Sequence, residues 1–346
     1  MLLFKFLYVI HLINNIYGEK PGKENLKMGI RLSFREKDQD YPVLEFEDFR
    51  KEVIADLADI CGLEFRVEER DVTKNNGVML HGISISESDG NVSPTIYLEG
   101  LYEEYKKGCI NLREAENEIL RIYSREKSCK GLNMCFITDF ELIRDKIIFR
   151  LVNAERNEEL LKEVPHRRFL DLAVIYTVFI DGIFKSPGNI VIRNDLMETW
   201  ATDEKELNRL SLENTPRLKK PVIRELSDMI FDLMGSDDFE KDCMREELTD
   251  AGAVKMFVVT NNDKFYGDSI ILYPDILNEI RENTRSDFYL LPSSVHEFIV
   301  VPDDGIVDEE ELKELVRSVN ETSVGEEDYL SDNIYRYSDS ELSICC

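Results

Sequence analysis

The chain has 346 residues, 43% of them hydrophobic, which is enough for one large domain or two to three small ones. Its formal net charge of −27 argues against direct binding of nucleic acid, because such a field repels phosphate backbones. The acidic excess is strongest from Asp303 to Glu341, which holds 14 acidic and 3 basic residues. This stretch predicts either a solvated face that aids solubility or a surface that binds a basic partner protein.

An apolar run, MLLFKFLYVIHLINNIYG, begins the chain and has the length of a signal peptide. It lacks a small-x-small cleavage site, and His11, Asn14 and Asn15 make it a poor membrane span. Three interpretations are open: a start codon placed too early with Met28 as the true start, a signal or anchor, or a helix packed on the body. We predict that residues 1–42 are not part of the fold and that the protein is cytoplasmic without membrane association. A genuine signal segment would instead make it secreted or anchored.

A small α+β module is predicted over residues 43–128. Apolar residues recur at helical spacing in 46–60, and LEFRVEERDVTK then alternates like a half-buried strand. The stretch 75–77, Asn-Asn-Gly, supplies positive φ angles for a tight turn into a second strand, VMLHGISIS, and SPTIYL adds a third. Asn111 and Glu114 have the spacing of a capping box and predict the start of a second helix.

A larger mixed-sheet α/β body is predicted over residues 139–337, so the fold class is α+β. LAVIYTVFI at 172–180 is almost free of polar residues, as expected of a strand buried on both faces. KIIFRLVN, VKMFVVT, DFYLL and EFIVV are further strands, and Pro274 is predicted at the first position of a helix. The acidic segment 225–250 is interpreted as a flexible connection, and residues 338–346 as a loose tail.

Common catalytic and cofactor motifs are absent from the sequence. It contains no GxGxxG, GxxxxGK[ST], GxSxG or HExxH and no kinase-type HRD/DFG pair, so no cofactor is predicted. Seven cysteines without a CxxC pair indicate neither a disulfide framework nor a zinc ribbon. They fit free thiols in a reducing compartment.

The stretch LPSSVHEFIVV contains the weak catalytic candidates Ser294, His296 and Glu297. A serine two residues from its base is a poor arrangement for nucleophilic catalysis, because the members of such sites usually come from different segments. The structural interpretation is a turn at Pro292–Ser294 that leads into a strand lying beside another strand of the body. On that interpretation Phe298 is a core residue, and His296 and Glu297 occupy the start of the strand.

Three histidines from three segments, His81, His166 and His296, are weak candidates for metal ligands if the fold brings them together. Asp171 or Glu297 would then complete the ligand set. Nothing in their spacing requires this arrangement.

A basic cluster, His166-Arg167-Arg168, stands out in the acidic chain as a weak candidate for ligand binding. It would bind a carboxylate or phosphate by paired hydrogen bonds. The alternative is that it pairs with neighbouring acidic residues such as Glu159 and Glu163.

Several phrases in fixed order resemble one protein family: VTKNNGVMLHGISI, NVSPTIYLEGLYEEYKKG, FRLVNAERNEELLKEVPHRRFLDLAVIY, YGDSIILYPD, LPSSVHE and YLSDNIYRY. The chain resembles domain of unknown function 5688, an uncharacterised family of gut bacterial proteins, over roughly residues 45–337. The resemblance implies a cytoplasmic bacterial protein and a start codon placed too early, since similar proteins usually lack the apolar start. It assigns no activity and no catalytic residue.

Two functions from different classes follow from these patterns. The first is a non-catalytic binding or regulatory protein of a bacterial cytoplasm that uses an acidic surface or a groove. The alternative is a metal-assisted hydrolase that uses clustered histidines. The first is favoured because the titratable residues are scattered along the chain.

Overall fold

The computed structural model describes residues 43–87, 95–126, 134–181, 188–235, 241–246, 255–305 and 307–345. The apolar start and Met28 lie outside these residues. The described chain divides into two compact units: one holds 43–87 and 95–126, and the other holds 135–179 and the described residues from 189 onward. We call them the N-terminal unit and the body. The predicted boundaries of separately folding domains, 43–128 and 139–337, stay a prediction.

The N-terminal unit is a three-stranded antiparallel sheet covered by helices. Its elements are α1 Phe46–Cys61, β1 Phe65–Thr73, β2 Met79–Glu87, β3 Thr95–Tyr97, α2 Glu99–Lys106 and α3 Leu112–Glu126. The strands follow one another in the order β1-β2-β3. Asn111 and Glu114 form the predicted capping box, because each side chain accepts a hydrogen bond from the other residue's amide, at 2.9 and 2.8 Å. Asn76 and Gly77 have the expected positive φ angles.

The body begins with a small sheet whose central strand is the apolar one. Its strands are β4 Ile147–Asn153, β5 His166–Phe169, β6 Leu172–Ile180 and β7 Gly188–Val191. β6 pairs with the other three, and every residue of β4 and β6 is buried. The free edge of β4 is covered by side chains of a helix, since Thr215 Oγ1 accepts from the Phe149 amide at 3.2 Å and Asn214 Nδ2 donates to Ile147 O at 3.1 Å.

A six-stranded antiparallel sheet forms the rest of the body. Its strands are β8 Pro221–Glu225, β9 Phe257–Asn261, β10 Phe288–Ser294, β11 Glu297–Pro302, β12 Tyr335–Ser338 and β13 Glu341–Ile344. Their order is β13-β12-β10-β11-β9-β8.

Helices surround the two sheets of the body. They are α4 Phe140–Ile143, α5 Glu158–Glu163, α6 Asn194–Thr199, α7 Glu204–Leu218, α8 Leu226–Met234, α9 Ile276–Thr284 and α10 Glu309–Ser323, and residues 241–246 are helical as well. Apolar side chains of α8 and α10 pack on one face of the six-stranded sheet. Within the described ranges, every helix is too short or too polar to cross a lipid bilayer.

The α+β class is confirmed, but the mixed sheet predicted for the body is wrong, because the sheets of the described residues are antiparallel. The continuous apolarity of 172–180 correctly predicted a strand buried on both faces. In the structure an antiparallel strand has the same composition because both of its faces are covered.

Three smaller predictions for the body are also corrected. The segment 225–250 is not a flexible connection throughout, since Leu226–Met234 is a helix with buried Leu226, Met229 and Ile230. Pro274 lies two residues before the first residue of α9 rather than at its first position. The predicted loose tail at 338–346 is ordered in its described part, because β13 pairs with β12 and Cys345 is buried.

Candidate functional site

The hairpin formed by β10 and β11 carries the candidates Ser294, His296 and Glu297. The predicted turn at Pro292–Ser294 is misplaced: these residues belong to β10, and the chain reverses at Val295 and His296. The pairing register shifts between Pro292 and Ser294. The prediction that this stretch lies beside another strand of the body holds, because β11 runs between β10 and β9.

His296 is held through both of its ring nitrogens. Nδ1 accepts a hydrogen bond from the Tyr266 amide at 3.2 Å, and Nε2 lies 3.2 Å from Asp328 Oδ1. These contacts select the neutral tautomer with its proton on Nε2, which donates to the carboxylate. The imidazole therefore has a structural role in joining the hairpin to the segments around Tyr266 and Asp328.

Ser294 does not contact the ring of His296. Its Oγ accepts a hydrogen bond from the His296 backbone amide at 3.1 Å, a contact that stabilises the turn. Glu297 is buried, and one of its carboxylate oxygens lies 3.3 Å from Ser293 Oγ. The three catalytic candidates thus meet in space, but they are connected as parts of a hairpin and not as nucleophile, base and orienting acid.

Residues 261–269 form a loop with unusual backbone angles, and we call it the FYGDS loop. Lys264 and Tyr266 both have positive φ angles, 55° and 51°, which side-chain-bearing residues adopt infrequently. A Cβ atom on Gly267 would lie 2.3 Å from both His296 O and Thr260 Oγ1, so this position requires glycine. Such strain persists only where the surrounding structure enforces it, and it is concentrated at functional sites.

The loop presents Phe265 on the surface. Phe265 is 43% exposed, and its ring stacks on the His296 ring with centroids 5.5 Å apart and an interplanar angle of 25°. Asn261 supports this position, because its Oδ1 accepts from the Phe265 amide and its Nδ2 donates to the Phe265 carbonyl. An apolar ring is therefore held in water by a network of hydrogen bonds beneath it.

Two ionisable side chains are buried here, Arg150 of β4 and Asp268 of the loop itself. Arg150 is 8% exposed, and its guanidinium carbon lies 4.5 Å from the centroid of the Tyr266 ring. Asp268 is fully buried, and burial raises its pKa well above the ordinary value. The backbone of Ser269 and the charge of Arg150 partly oppose this rise. Neither carboxyl oxygen of Asp268 has a hydrogen-bond partner of good geometry among the described residues.

The basic cluster at 166–168 is not a single clamp. Alternation along β5 places His166 and Arg168 on one face and Arg167 on the other, where Arg167 lies near the Tyr176 hydroxyl. His166 Nδ1 lies 3.0 Å from Val164 O. The expected acidic neighbours have other partners, since Glu159 pairs with Lys162 and Glu163 with Arg193.

His81 belongs to the N-terminal unit, where its Nδ1 lies 3.7 Å from Asp71 Oδ1 and its ring lies against Phe46. His166 and His296 belong to the body and have the separate contacts described above. Among all described residues, no group of three or more His, Cys, Asp or Glu side chains is arranged to hold a metal ion. A metal centre of His81, His166 and His296, with Asp171 or Glu297, stays a prediction. Asp171 instead accepts hydrogen bonds from Ser331, Asn333 and Tyr335.

Sequence reasoning missed Arg150, Phe265 and Asp268. One signal was present: Arg150 is the single charged residue inside the apolar strand IIFRLVN. A charge at such a position requires a specific partner, so it marks a site even before its partner is known. Phe265 and Asp268 gave no comparable signal, because the exposure of the first and the burial of the second depend on how the loop folds.

Comparisons with known proteins give one match. Neither the search of curated proteins nor that of solved structures found a similar protein. The model of a family of unknown function, DUF5688, matches residues 46–339, which include both the N-terminal unit and the hairpin site. The chain therefore belongs to the DUF5688 family.

Proposed function

We propose that the chain is a non-catalytic binding or regulatory protein of a bacterial cytoplasm. Its binding surface consists of Phe265, His296 and Asp328. One observation carries the proposal: both nitrogens of His296 are engaged by structural partners while the stacked ring of Phe265 is presented to solvent. The arrangement supports recognition by contact, since it provides a rigid aromatic surface and no available base.

The alternative of a metal-assisted hydrolase has less support. A hydrolytic metal site needs three protein ligands around one ion. The described residues provide no such group, and His81 and His166 have their own neighbours, Asp71 and Val164. A serine mechanism is not favoured either, because the Ser294 hydroxyl accepts a hydrogen bond from the backbone of the turn.

The chemistry around Phe265 favours a basic partner protein. The short helix Glu326–Asp328 places three acidic residues in the segment that contacts His296, and the whole chain carries a net charge of −27. A Lys or Arg side chain of a partner would gain cation–π contact with Phe265 and attraction to these carboxylates. Nucleic acid is not an expected ligand, because the same field repels its phosphates.

The state of the cysteines supports a reducing compartment. Cys61, Cys109, Cys243 and Cys345, whose side chains the structure describes, are free thiols. Proteins of oxidising compartments more often join such residues in disulfides. A cytoplasmic location therefore fits the proposed binding role.

The test is affinity capture from a lysate of the native host with three tagged proteins: wild type, Phe265→Ala and the control Leu142→Ala. Leu142 is 60% exposed on α4, so its removal deletes a similar apolar surface elsewhere in the body. We expect one basic protein to be captured by wild type and by the control, and to be lost with Phe265→Ala. The purified pair should then bind at least tenfold more weakly when Phe265 is replaced.

Equal capture by all three proteins would show that this surface does not bind the partner. A metal-dependent hydrolytic activity that disappears in His296→Ala would replace the binding proposal with the enzymatic one.

A further inference from the structure

Arg150 and Thr177 lie on the same face of the small sheet in the body. Arg150 on β4 is paired with Ile175 on β6, and Ile148 is paired with Thr177. Paired residues of antiparallel strands point to one side, and residues two apart on a strand share that side. Arg150 and Thr177 are therefore diagonal neighbours, and diagonal pairs have Cα atoms about 7 Å apart.

Both side chains bury donors that have no acceptor within the described residues. Arg150 Nε is shielded from solvent and has no hydrogen-bond partner there, and the same holds for Oγ1 of the fully buried Thr177. Buried polar groups of folded proteins are almost always satisfied, since leaving one unpaired is costly. Two such donors on one face of one sheet indicate that an acceptor belongs between them.

Tyr266 orients the guanidinium for this purpose. The Arg150 guanidinium carbon lies over its ring, 4.5 Å from the ring centroid. A guanidinium held over an aromatic face keeps N–H groups for planar, paired hydrogen bonds. The positive φ of Tyr266 is part of the backbone conformation that holds this ring over Arg150.

Asp268 completes the cluster. It is attracted electrostatically to Arg150, and the backbone amides of Ser269 and of Asp268 itself also act on its carboxyl, but no side chain among the described residues donates a hydrogen bond to its oxygens. Burial raises the pKa of this carboxyl well above its ordinary value, which favours the protonated form. A protonated carboxyl is a hydrogen-bond donor, so all three groups then have donors to offer.

We propose that Arg150, Thr177 and Asp268 form a buried site for a small oxyanion, either a carboxylate or a phosphate group. Because the two residues are diagonal neighbours on one face, each strand supplies a donor for a separate oxygen of one anion. The site goes beyond the proposed function, since it lies below Tyr266 and needs neither Phe265 nor a partner protein.

The competing arrangement is an internal ion pair between Arg150 and an ionised Asp268. The two arrangements make opposite predictions for Asp268→Asn. An ion pair would lose its anion, and the buried Arg150 would be left uncompensated, so the variant would unfold at a much lower temperature. In an oxyanion site the Asn amide would donate in place of the protonated carboxyl, so binding would be retained, or strengthened because no ionised form repels the ligand.

The experiment measures oxyanion binding to the full chain after unfolding and refolding in buffer free of phosphate and carboxylates, which removes an ion retained from the cell. Isothermal titration and thermal unfolding are performed with inorganic phosphate in one arm and acetate in the other. We expect one of the two to bind wild type and raise its melting temperature with concentration. Whether phosphate or acetate binds then identifies which of the two anionic groups the site accepts.

Variants assign the binding to the cluster. Thr177→Val should fold normally, because it removes an unsatisfied hydroxyl, yet weaken binding about tenfold. Arg150→Gln should abolish binding, Asp268→Asn should bind within threefold of wild type or more tightly, and the exposed control Thr322→Val should not differ from wild type.

Absence of binding with both phosphate and acetate would overturn the proposal. Equal binding by wild type, Thr177→Val and Arg150→Gln would overturn it as well, because it would indicate an adventitious ion only. Loss of both folding and binding in Asp268→Asn would establish the internal ion pair instead. None of these outcomes depends on partner capture, so the failure of this proposal and the failure of the proposed function are distinguishable.

Discussion

Among the described residues, each of the two units buries one arginine, and the two are paired differently. Arg50 of the N-terminal unit and Arg150 of the body are 6% and 8% exposed. Arg50 donates to Glu69 and Asp71 at 2.9 and 2.8 Å, and both carboxylates reach solvent. Arg150 contacts an aromatic ring and makes no comparable ion pair among the described residues.

The difference follows from the sheets that carry them. β1 is half exposed, so the Glu69 and Asp71 carboxylates on it remain in contact with water while they pair with Arg50. β4 is buried along its whole length, so each polar group on it needs a partner supplied by the fold or by a ligand. The burial of Arg50 is therefore explained by its two carboxylate partners, whereas the burial of Arg150 indicates a binding site.

The largest expected loss of stability compares the packing of the six-stranded sheet of the body with that of the N-terminal sheet. Phe298→Ala in the body should lower the free energy of unfolding by about 3–5 kcal/mol, because Phe298 is fully buried against Tyr335 and leaves a cavity. Phe65→Ala in β1 should cost only about 1–2 kcal/mol, because Phe65 is partly exposed at the edge of its cluster. Chemical denaturation of both variants checks this. Equal losses would mean that the N-terminal sheet is as tightly packed as the body.

The two arginines are compared directly by replacing each with methionine, which keeps the volume and removes the charge. Arg50→Met should lower stability by about 2 kcal/mol through the loss of two charge-assisted hydrogen bonds. Arg150→Met should be neutral within about 1 kcal/mol or stabilising in phosphate-free buffer, because it removes a buried charge without a close partner. Urea unfolding gives both values. A greater loss for Arg150→Met would show that this residue already has a strong partner within the protein.

A smaller effect distinguishes the serines of the two units. Ser294→Ala should cost about 1 kcal/mol, because it leaves the His296 amide of a buried turn without its acceptor. Ser124→Ala in α3 should change stability by less than about 0.5 kcal/mol, since its hydroxyl donates to the Leu120 carbonyl in an exposed helix. The melting temperatures of Ser294→Ala and Ser124→Ala, each compared with wild type, test these two values. No loss in Ser294→Ala would remove the structural role assigned to this hydroxyl.

A pH dependence confined to the N-terminal unit completes the comparison. Burial and the neighbouring Asp56 raise the pKa of Glu116 from 4.5 to about 7. The folded state then binds the proton more tightly than the unfolded state, so stability is greatest below pH 4.5 and falls as the pH rises to about 7. Glu116→Gln should flatten this decline, as measured by hydrogen exchange of α3 at pH 5 and pH 8. An unchanged slope in the variant would show that another group titrates in this range.

Much of the fold could be predicted because its signals are local. The apolar stripe of 46–60 became α1, and the capping box of Asn111 and Glu114 formed as spaced. Phe298 was correctly predicted as a core residue, since it is fully buried in β11. These features depend on periodicity and on contacts three or four residues apart, which the sequence contains directly.

The candidate site could be predicted only in part. PSSVHE was identified as a distinctive stretch, and Ser294 and His296 do lie at the turn of a hairpin. The partners of His296 could not be predicted, because the Tyr266 amide is 30 residues away in sequence and Asp328 is 32 residues away. The tail was misjudged for the same reason, since β13 is ordered by pairing with β12 and packing of Cys345.

The sequence by itself determined the α+β class, the family, the acidic charge and the positions of most helices and strands, since these depend on composition and short-range pattern. The tertiary structure alone decided that the sheets of the described residues are antiparallel and that buried Arg150 lies over the Tyr266 ring and is attracted to Asp268. Burial is a property of the folded chain: a charged side chain in a strand is ordinary in water, and it requires a partner only when other segments cover both faces of its sheet.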